Sequence, residues 1–477
     1  MASTINRNAS LRGLVESVRR QQTIELQARL IPDSIPVVGY HIYGELKLAK
    51  KLSASENKED AERCLRAIAA MTVLGEQCIK SEGGELFEAQ GEIIHFFLPA
   101  ETQNDRETSR VLRFATAFSH RVYEVVRGIA GDGWGGFAMA ADFGLTIVLT
   151  TTSQSIISLG TPANRPAKRL AEGVPSGTIS IWDGARWREH NVLDRSALNE
   201  EDRATGLNYE SLANRIVSDL QRQDFSVRYL NAVTEETPLP SSTNPPVAVY
   251  AHIVRADLDG FSKRVDSAFT ADDGGVSITR LVVEFRAVVE SAERILRSFK
   301  DNNHWQLPWA GDCLNAIILP KSGERFADSQ STLPANFGAH WHDSFRKSGI
   351  SAGWTIGVAG GDTGLSQADC GHVLVASIPT SERDFPIAVG WGVEMALRAQ
   401  ETKGSRAEDT VIPAEDYRQL ADILKELFSA APDKRFYRAG GLTPSKVRDL
   451  AVKSLAVPVP TTVGSSIPSP RPYGSAY

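Results

Sequence analysis

The chain has 477 residues, a net charge of −6 and a pI near 5.9, with 42% hydrophobic and 23% charged residues. This is the composition of a globular protein with room for two or three domains. It offers no basic face for a polyanion, which excludes nucleic acid and direct contact with an anionic membrane. No uncharged apolar run approaches the roughly 18 residues of a membrane span, and the four cysteines (Cys64, Cys78, Cys313, Cys370) have no CxxC spacing, so a cytoplasmic protein with reduced thiols and no signal peptide is expected.

Residues 1–36 read as a helical lead-in. From VVGYHIYGEL the pattern is a strand, followed by a helix with Leu65, Ile68, Met71, Leu74 and Cys78 at three- and four-residue spacing. ELFEAQGEIIHFFLP is a hairpin broken at Gly91, Val111, Phe114, Phe118 and Val122 mark a second helix, and LTIVLT is a further strand. The order β-α-β-β-α-β then returns in VAVYAHIVRADLDGF, the helix from Ile278 to Phe299, WQLPWAGDCLNAIILP and GWTIGVAGG. Pairing His41 with Asp257, Glu92 with Asp312 and Asn164 with Glu394 gives offsets of 216, 220 and 230, a slowly growing register that marks a diverged internal repeat. The expected fold class is α+β, with two ferredoxin-like domains in one chain at 37–190 and 248–430. A connecting helix and a proline- and serine-rich linker fill 191–247, and 431–477 is a C-terminal extension ending in a disordered tail.

In β-α-β-β-α-β topology the sheet order is 4-1-3-2, so the end of strand 1 meets the start of strand 3. Asp257 ends strand 1 of the second copy and Asp312, in AGDCL, opens strand 3. Alone, each reads as a turn residue. Together they read as two carboxylates that repel unless a hard cation, Mg²⁺ or Mn²⁺, bridges them to substrate phosphates. DGFS turns the chain into a helix whose first N–H groups receive a phosphate, and Asp259 is assigned to turn formation. HWHD at 340–343 falls in a helix, where residues two apart face different sides.

At these residues the sequence resembles the class III nucleotidyl cyclases, over roughly residues 37–180 and 248–425. DLDGFS and AGDCLNAII are similar to the family's two metal motifs, and LGTPANRPAKRLAE to its Asn-x-x-x-Arg motif. The resemblance implies two docked domains forming a pseudo-heterodimer, within a monomer or across a homodimer. It implies two Mg²⁺ or Mn²⁺ ions on Asp257, Asp312 and Leu258, phosphate contacts from Gly260, Phe261 and Ser262, ribose orientation by Asn164, and transition-state charge from Lys168 or Arg169. His41, Glu92, Glu394 and Arg398 then mark a degenerate second site, with Glu92 a partial exception. At the base-reading places of the purine cyclases stand Glu88 and Ile157, so adenine loses its partners. Tyr43 either stacks in a smaller pocket or packs in the core.

The implied substrate is a pyrimidine nucleoside triphosphate, UTP before CTP, as in the pyrimidine cyclases of the Pycsar anti-phage systems, whose product activates a separate effector protein. A purine cyclase and a nucleotide-binding regulator without turnover remain the alternatives.

Overall fold

The computed structural model describes residues 34–49, 58–151, 155–194, 228–230, 239–240, 246–273, 275–299, 303–320, 326–350, 352–360, 372–381, 383–402 and 408–456. The lead-in up to residue 33, the connector at 195–227, the linker at 241–245, residues 361–371 and the tail from 457 lie outside the described residues.

The first half runs β1 (Ser34–Leu48), α1 (Lys58–Ser81), β2 (Glu85–Gln90), β3 (Ile93–Pro99), α2 (Asp105–Arg121), β4 (Trp134–Thr150), β5 (Ile156–Leu159), α3 (Thr161–Gly173), β6 (Thr178–Trp182) and β7 (Trp187–Asn191). Side chains alternate along β1: Tyr40, Ile42 and Leu46 are buried against α1 and α2, leaving His41, Tyr43 and Glu45 for the other face. The predicted helical positions Leu65, Ile68, Met71, Leu74, Phe114 and Phe118 all enter this core. Asn104 caps α2, its Oδ1 accepting from the Glu107 N–H at 2.9 Å, and the chain then continues through a π turn at Val122–Val126.

The second half runs β8 (Arg228–Leu230), β9 (Val247–Tyr250), β10 (His252–Leu258), α4 (Phe261–Thr270), α5 (Val276–Ser298), β11 (His304–Gln306), β12 (Cys313–Ile318), α6 (Leu333–Ser348), β13 (Trp354–Ala359), β14 (His372–Pro379), β15 (Asp384–Val389), α7 (Trp391–Glu401), β16 (Asp409–Pro413), β17 (Ser429–Ala430), β18 (Phe436–Gly440) and α8 (Pro444–Ala456). The sheets read β2-β3-β1-β4-β6-β7, with β5 on β4, and β11-β12-β10-β13-β16-β18-β17. Within each, the first four strands stand in the expected 4-1-3-2 order, with strand 1 antiparallel to strands 3 and 4.

Three elements depart from expectation. β4 starts at Trp134, eleven residues before LTIVLT. The second copy's first strand breaks at Ala251, so that β9 joins a separate sheet, β15-β14-β9-β8. β18 and α8 carry the folded unit past residue 430.

The two halves exchange arms. Ile147, Leu149, Ile157 and Leu159 of the first pack into the core of the second, among Val289, Ala292 and Trp309. Ala248, Leu374, Ala376, Ile378, Phe385, Ile387 and Val389 of the second pack into the core of the first. Full burial of each valine, leucine, isoleucine or phenylalanine among these is worth roughly 1.5–3 kcal/mol, so pairing of the halves is part of folding and not a surface contact.

Candidate nucleotide site between the two halves

Asp257 stands opposite Cys313 in the β10–β12 ladder, and Asp312 immediately precedes Cys313. The Cys313 thiol is pushed up to about 12, first by burial and, against the pull of Arg255, by the two neighbouring aspartates. Asp257 and Asp312 thus converge on one point at the end of two adjacent strands. Leu258 is buried. At Asp259 the chain turns, its N–H donating to Gly353 O and its Oδ1 accepting from Thr355 Oγ1 at 2.8 Å. Gly260 adopts φ 71°, ψ 11°, a left-handed conformation that glycine takes without strain, and starts α4 with no side-chain cap. Phe261 anchors the turn by stacking on Phe285 at 4.3 Å, while Ser262 is exposed.

The ladder corrects the first-copy landmark. Cys313, the residue after the hairpin acid Asp312, pairs with Asp257, and Ile93, the residue after Glu92, pairs with Glu45. The counterpart of Asp257 is therefore Glu45, four residues beyond His41. Lys47 Nζ lies 3.8 Å from Glu45 and donates to Val174 O. His41 is instead a core residue. Its ring nitrogens meet His95 Nε2 at 2.9 Å and Thr146 Oγ1 at 2.8 Å, and burial lowers its pKa to about 3.

α3 carries the Asn motif. Arg165 Nη1 donates to the buried Asp142 at 2.6 Å and fixes the helix to β4. Burial nevertheless pushes Asp142 up to about 7, against the pull of Arg165. Asn164 Nδ2 is buried and has no hydrogen-bond partner. Lys168 is exposed, whereas Arg169 donates to Glu189 Oε1 at 2.7 Å and lies over the Trp187 ring. Thr161, in the first turn of α3, donates to Asp266 Oδ1 of α4 at 3.2 Å. The Asn helix of one half therefore abuts the helix that follows Asp257 in the other.

In the equivalent place on α7, Glu394 is paired with Arg398 at 2.7 Å. Glu92 and Glu394 both lie near Cys64, whose thiol is raised first by burial and then by these two carboxylates.

Of the residues expected at the base edge, Tyr43 stacks on His95 at 4.1 Å and Glu88 Oε2 lies 4.0 Å from His95 Nδ1. Arg383 of the β14–β15 arm and Arg255 of β10 both face Glu88, bringing it towards the strand of Asp257. Ile157 is not part of this group. It packs in the core of the second half, and its neighbour Ile156 packs beside Phe87 and Phe97. His340 and His342 point apart, to Ser298 and Thr410 respectively.

Burial dominates at Glu88 and pushes its pKa up to about 8, against the pull of Arg383 and Arg255. A folded-state pKa above the unfolded one means a contribution to stability that is complete below about 4.5 and lost as pH rises through about 8. Glu88→Gln is expected to match the parent in thermal unfolding at pH 5 and to exceed it at pH 9, by on the order of a few kcal/mol. An unfolding-midpoint difference that stays the same at both pH values would contradict this.

No protein-family model matches the sequence, and no curated protein matches it significantly. Among solved structures, a class III adenylyl cyclase-like ATP-binding protein from Pseudomonas aeruginosa aligns at a TM-score of 0.65 and 16% identity, covering 91% of this chain and 98% of that one. The fold is of the class III cyclase kind. The adenylyl cyclase CyaB from P. aeruginosa aligns at 0.28 and 15% identity over 41% of this chain and 95% of its own. A bacterial light-regulated adenylyl cyclase aligns at 0.28 and 13% over 44% and 100%.

Among the described residues no group of three or more His, Cys, Asp or Glu forms a ready metal cage, and no helix is long and apolar enough to cross a membrane. The Asp257–Asp312 pair fits a hard cation of the Mg²⁺ or Mn²⁺ type, which is commonly held by one or two carboxylates and completed by phosphate oxygens and water.

Proposed function

We propose that the chain is a nucleotidyl cyclase, converting a nucleoside triphosphate to a 3′,5′-cyclic nucleotide and pyrophosphate at one composite site. The observation that carries this reading is the unpaired, buried amide nitrogen of Asn164 on a helix docked against α4, directly after Asp257. A buried polar group without a partner calls for one, and a ribose hydroxyl supplies it.

In the reaction the ribose 3′-oxygen bonds to the α-phosphorus as the bond to the β-phosphate oxygen breaks, and the 3′-hydroxyl proton leaves to solvent. Asn164 orients the ribose. The uncapped N–H groups of α4 receive phosphate oxygens, and exposed Lys168 offsets charge growing on the α-phosphoryl group. Two Mg²⁺ or Mn²⁺ ions, held by Asp257, Asp312 and the Leu258 backbone, would neutralise the triphosphate and lower the pKa of the 3′-hydroxyl. Arm exchange within one chain supports a site completed by a single chain, with a homodimer as the alternative.

The base is proposed to be a pyrimidine, UTP before CTP. Support comes from the resemblance, in which Glu88 stands at a base-reading place; Tyr43, stacked on His95, lies in the same group. ATP is the second reading, favoured by the likeness to the ATP-binding protein from P. aeruginosa. A product that signals to a separate effector in anti-phage defence follows from the resemblance alone.

The experiment is incubation of purified protein with Mn²⁺ and ATP, GTP, CTP or UTP separately, with products identified by mass. Cyclic UMP is expected. A dominant purine product would overturn the base assignment and leave the cyclase assignment standing, and nucleotide binding with no cyclic product would leave a regulator without turnover.

A further inference from the structure

We infer that Gln90, on the half that lacks the metal aspartates, is a positioning residue for the loop that carries Asp312. The inference rests on the cyclase reading and deepens it.

β11 is only three residues long, so the loop from Leu307 to Asp312 has main-chain groups that lie outside the strand ladder. The first half fills that need. Gln90 Nε2 donates to Pro308 O at 2.9 Å and also to Trp309 O. Ser155 Oγ, at the base of the first half's arm, accepts from the Trp309 N–H at 3.1 Å. Asn315 Nδ2 completes the set, donating to Pro308 O at 3.1 Å and to Gln90 Oε1 at 3.4 Å.

Trp309 is fully buried, and its indole N–H donates to the buried Glu293 carboxylate at 3.2 Å, which also accepts from Gln306. From Trp309 onward the loop is short. Ala310 and Cys313 exchange both main-chain hydrogen bonds at 2.9 Å, closing a tight turn around Gly311 and Asp312. A shift at Trp309 is thus passed through a turn with little freedom to the Asp312 carboxylate. Outer partners of this kind set ligand orientation, and their loss typically costs about 10–100-fold in metal affinity or activity.

The test uses the full chain and Mn²⁺ alone, titrated while free Mn²⁺ is followed by electron paramagnetic resonance. Gln90→Glu keeps the shape but loses both donors and sets a carboxylate against two carbonyl oxygens. It is expected to weaken Mn²⁺ binding about tenfold, with Gln90→Ala changing it in the same direction. The effect should persist in protein whose circular dichroism and unfolding midpoint match the parent. Activity lost at limiting Mn²⁺ should return at high Mn²⁺, which a purely structural role would not produce. Asp312→Ala serves as the reference. If Asp312→Ala weakens Mn²⁺ binding and neither Gln90 variant does, the inference is overturned and the metal reading stands. If none of the three weakens it, both are overturned.

Discussion

Asp257→Ala and Asp312→Ala are each expected to reduce cyclic nucleotide formation by at least about 10²-fold at saturating Mn²⁺, measured as the initial rate of pyrophosphate release. Each removes an anionic ligand from the point where β10 and β12 meet, and the remaining carboxylate cannot hold the cation charge against the triphosphate alone. The matched control is Glu45→Ala. Glu45 occupies the equivalent register in the first half, but Lys47 stands 3.8 Å away and answers its charge internally. Its loss is expected to change the rate by no more than about threefold, on the order expected for a surface ion pair. His41→Ala acts on stability, through its bonds to His95 and Thr146, and far less on the turnover of folded protein. Equal losses at Glu45 and Asp257 would contradict a single site built on Asp257 and Asp312.

The second large effect is expected at Asn164. Asn164→Ala should lower kcat by on the order of 10²–10³ while changing KM by only a few-fold, because a donor aimed at the reacting ribose acts mainly as the transition state forms. Burial of its free amide gives the variant no folded-state bond to lose, so its unfolding midpoint should hold. Lys168→Ala should slow the reaction more than Arg169→Ala, since Arg169 is already committed to Glu189 and Trp187. A rise in KM with kcat intact for Asn164→Ala would place the residue in ground-state binding instead.

The strand and helix order was legible because its core positions are strongly periodic: Leu65 to Cys78 and Ile278 to Phe299 lie where three- and four-residue spacing puts them. Strand register was not legible. His41 and Glu45 are four residues apart and share a face, so alternation cannot separate them, and β1 runs on to Leu48 with no glycine turn to mark an end as Gly260 does after β10. The early start of β4 is hidden in WGGFAMAADFG, whose glycines and alanines lack the β-branched run of LTIVLT although most of the stretch is buried in the sheet. The resemblance puts Ile157 at a base-reading place, whereas arm exchange turns it into the other half's core. Gln90 gave no signal in sequence, since its partners lie more than two hundred residues away.

The most direct test is a crystal structure with Mn²⁺ and a 3′-deoxyribonucleoside triphosphate, which lacks the attacking hydroxyl, with manganese located by its anomalous scattering. Manganese is expected between Asp257 and Asp312, with the ribose within hydrogen-bond reach of Asn164. Manganese at Glu45 and Glu92, or a nucleotide bound out of reach of Asn164, would contradict it.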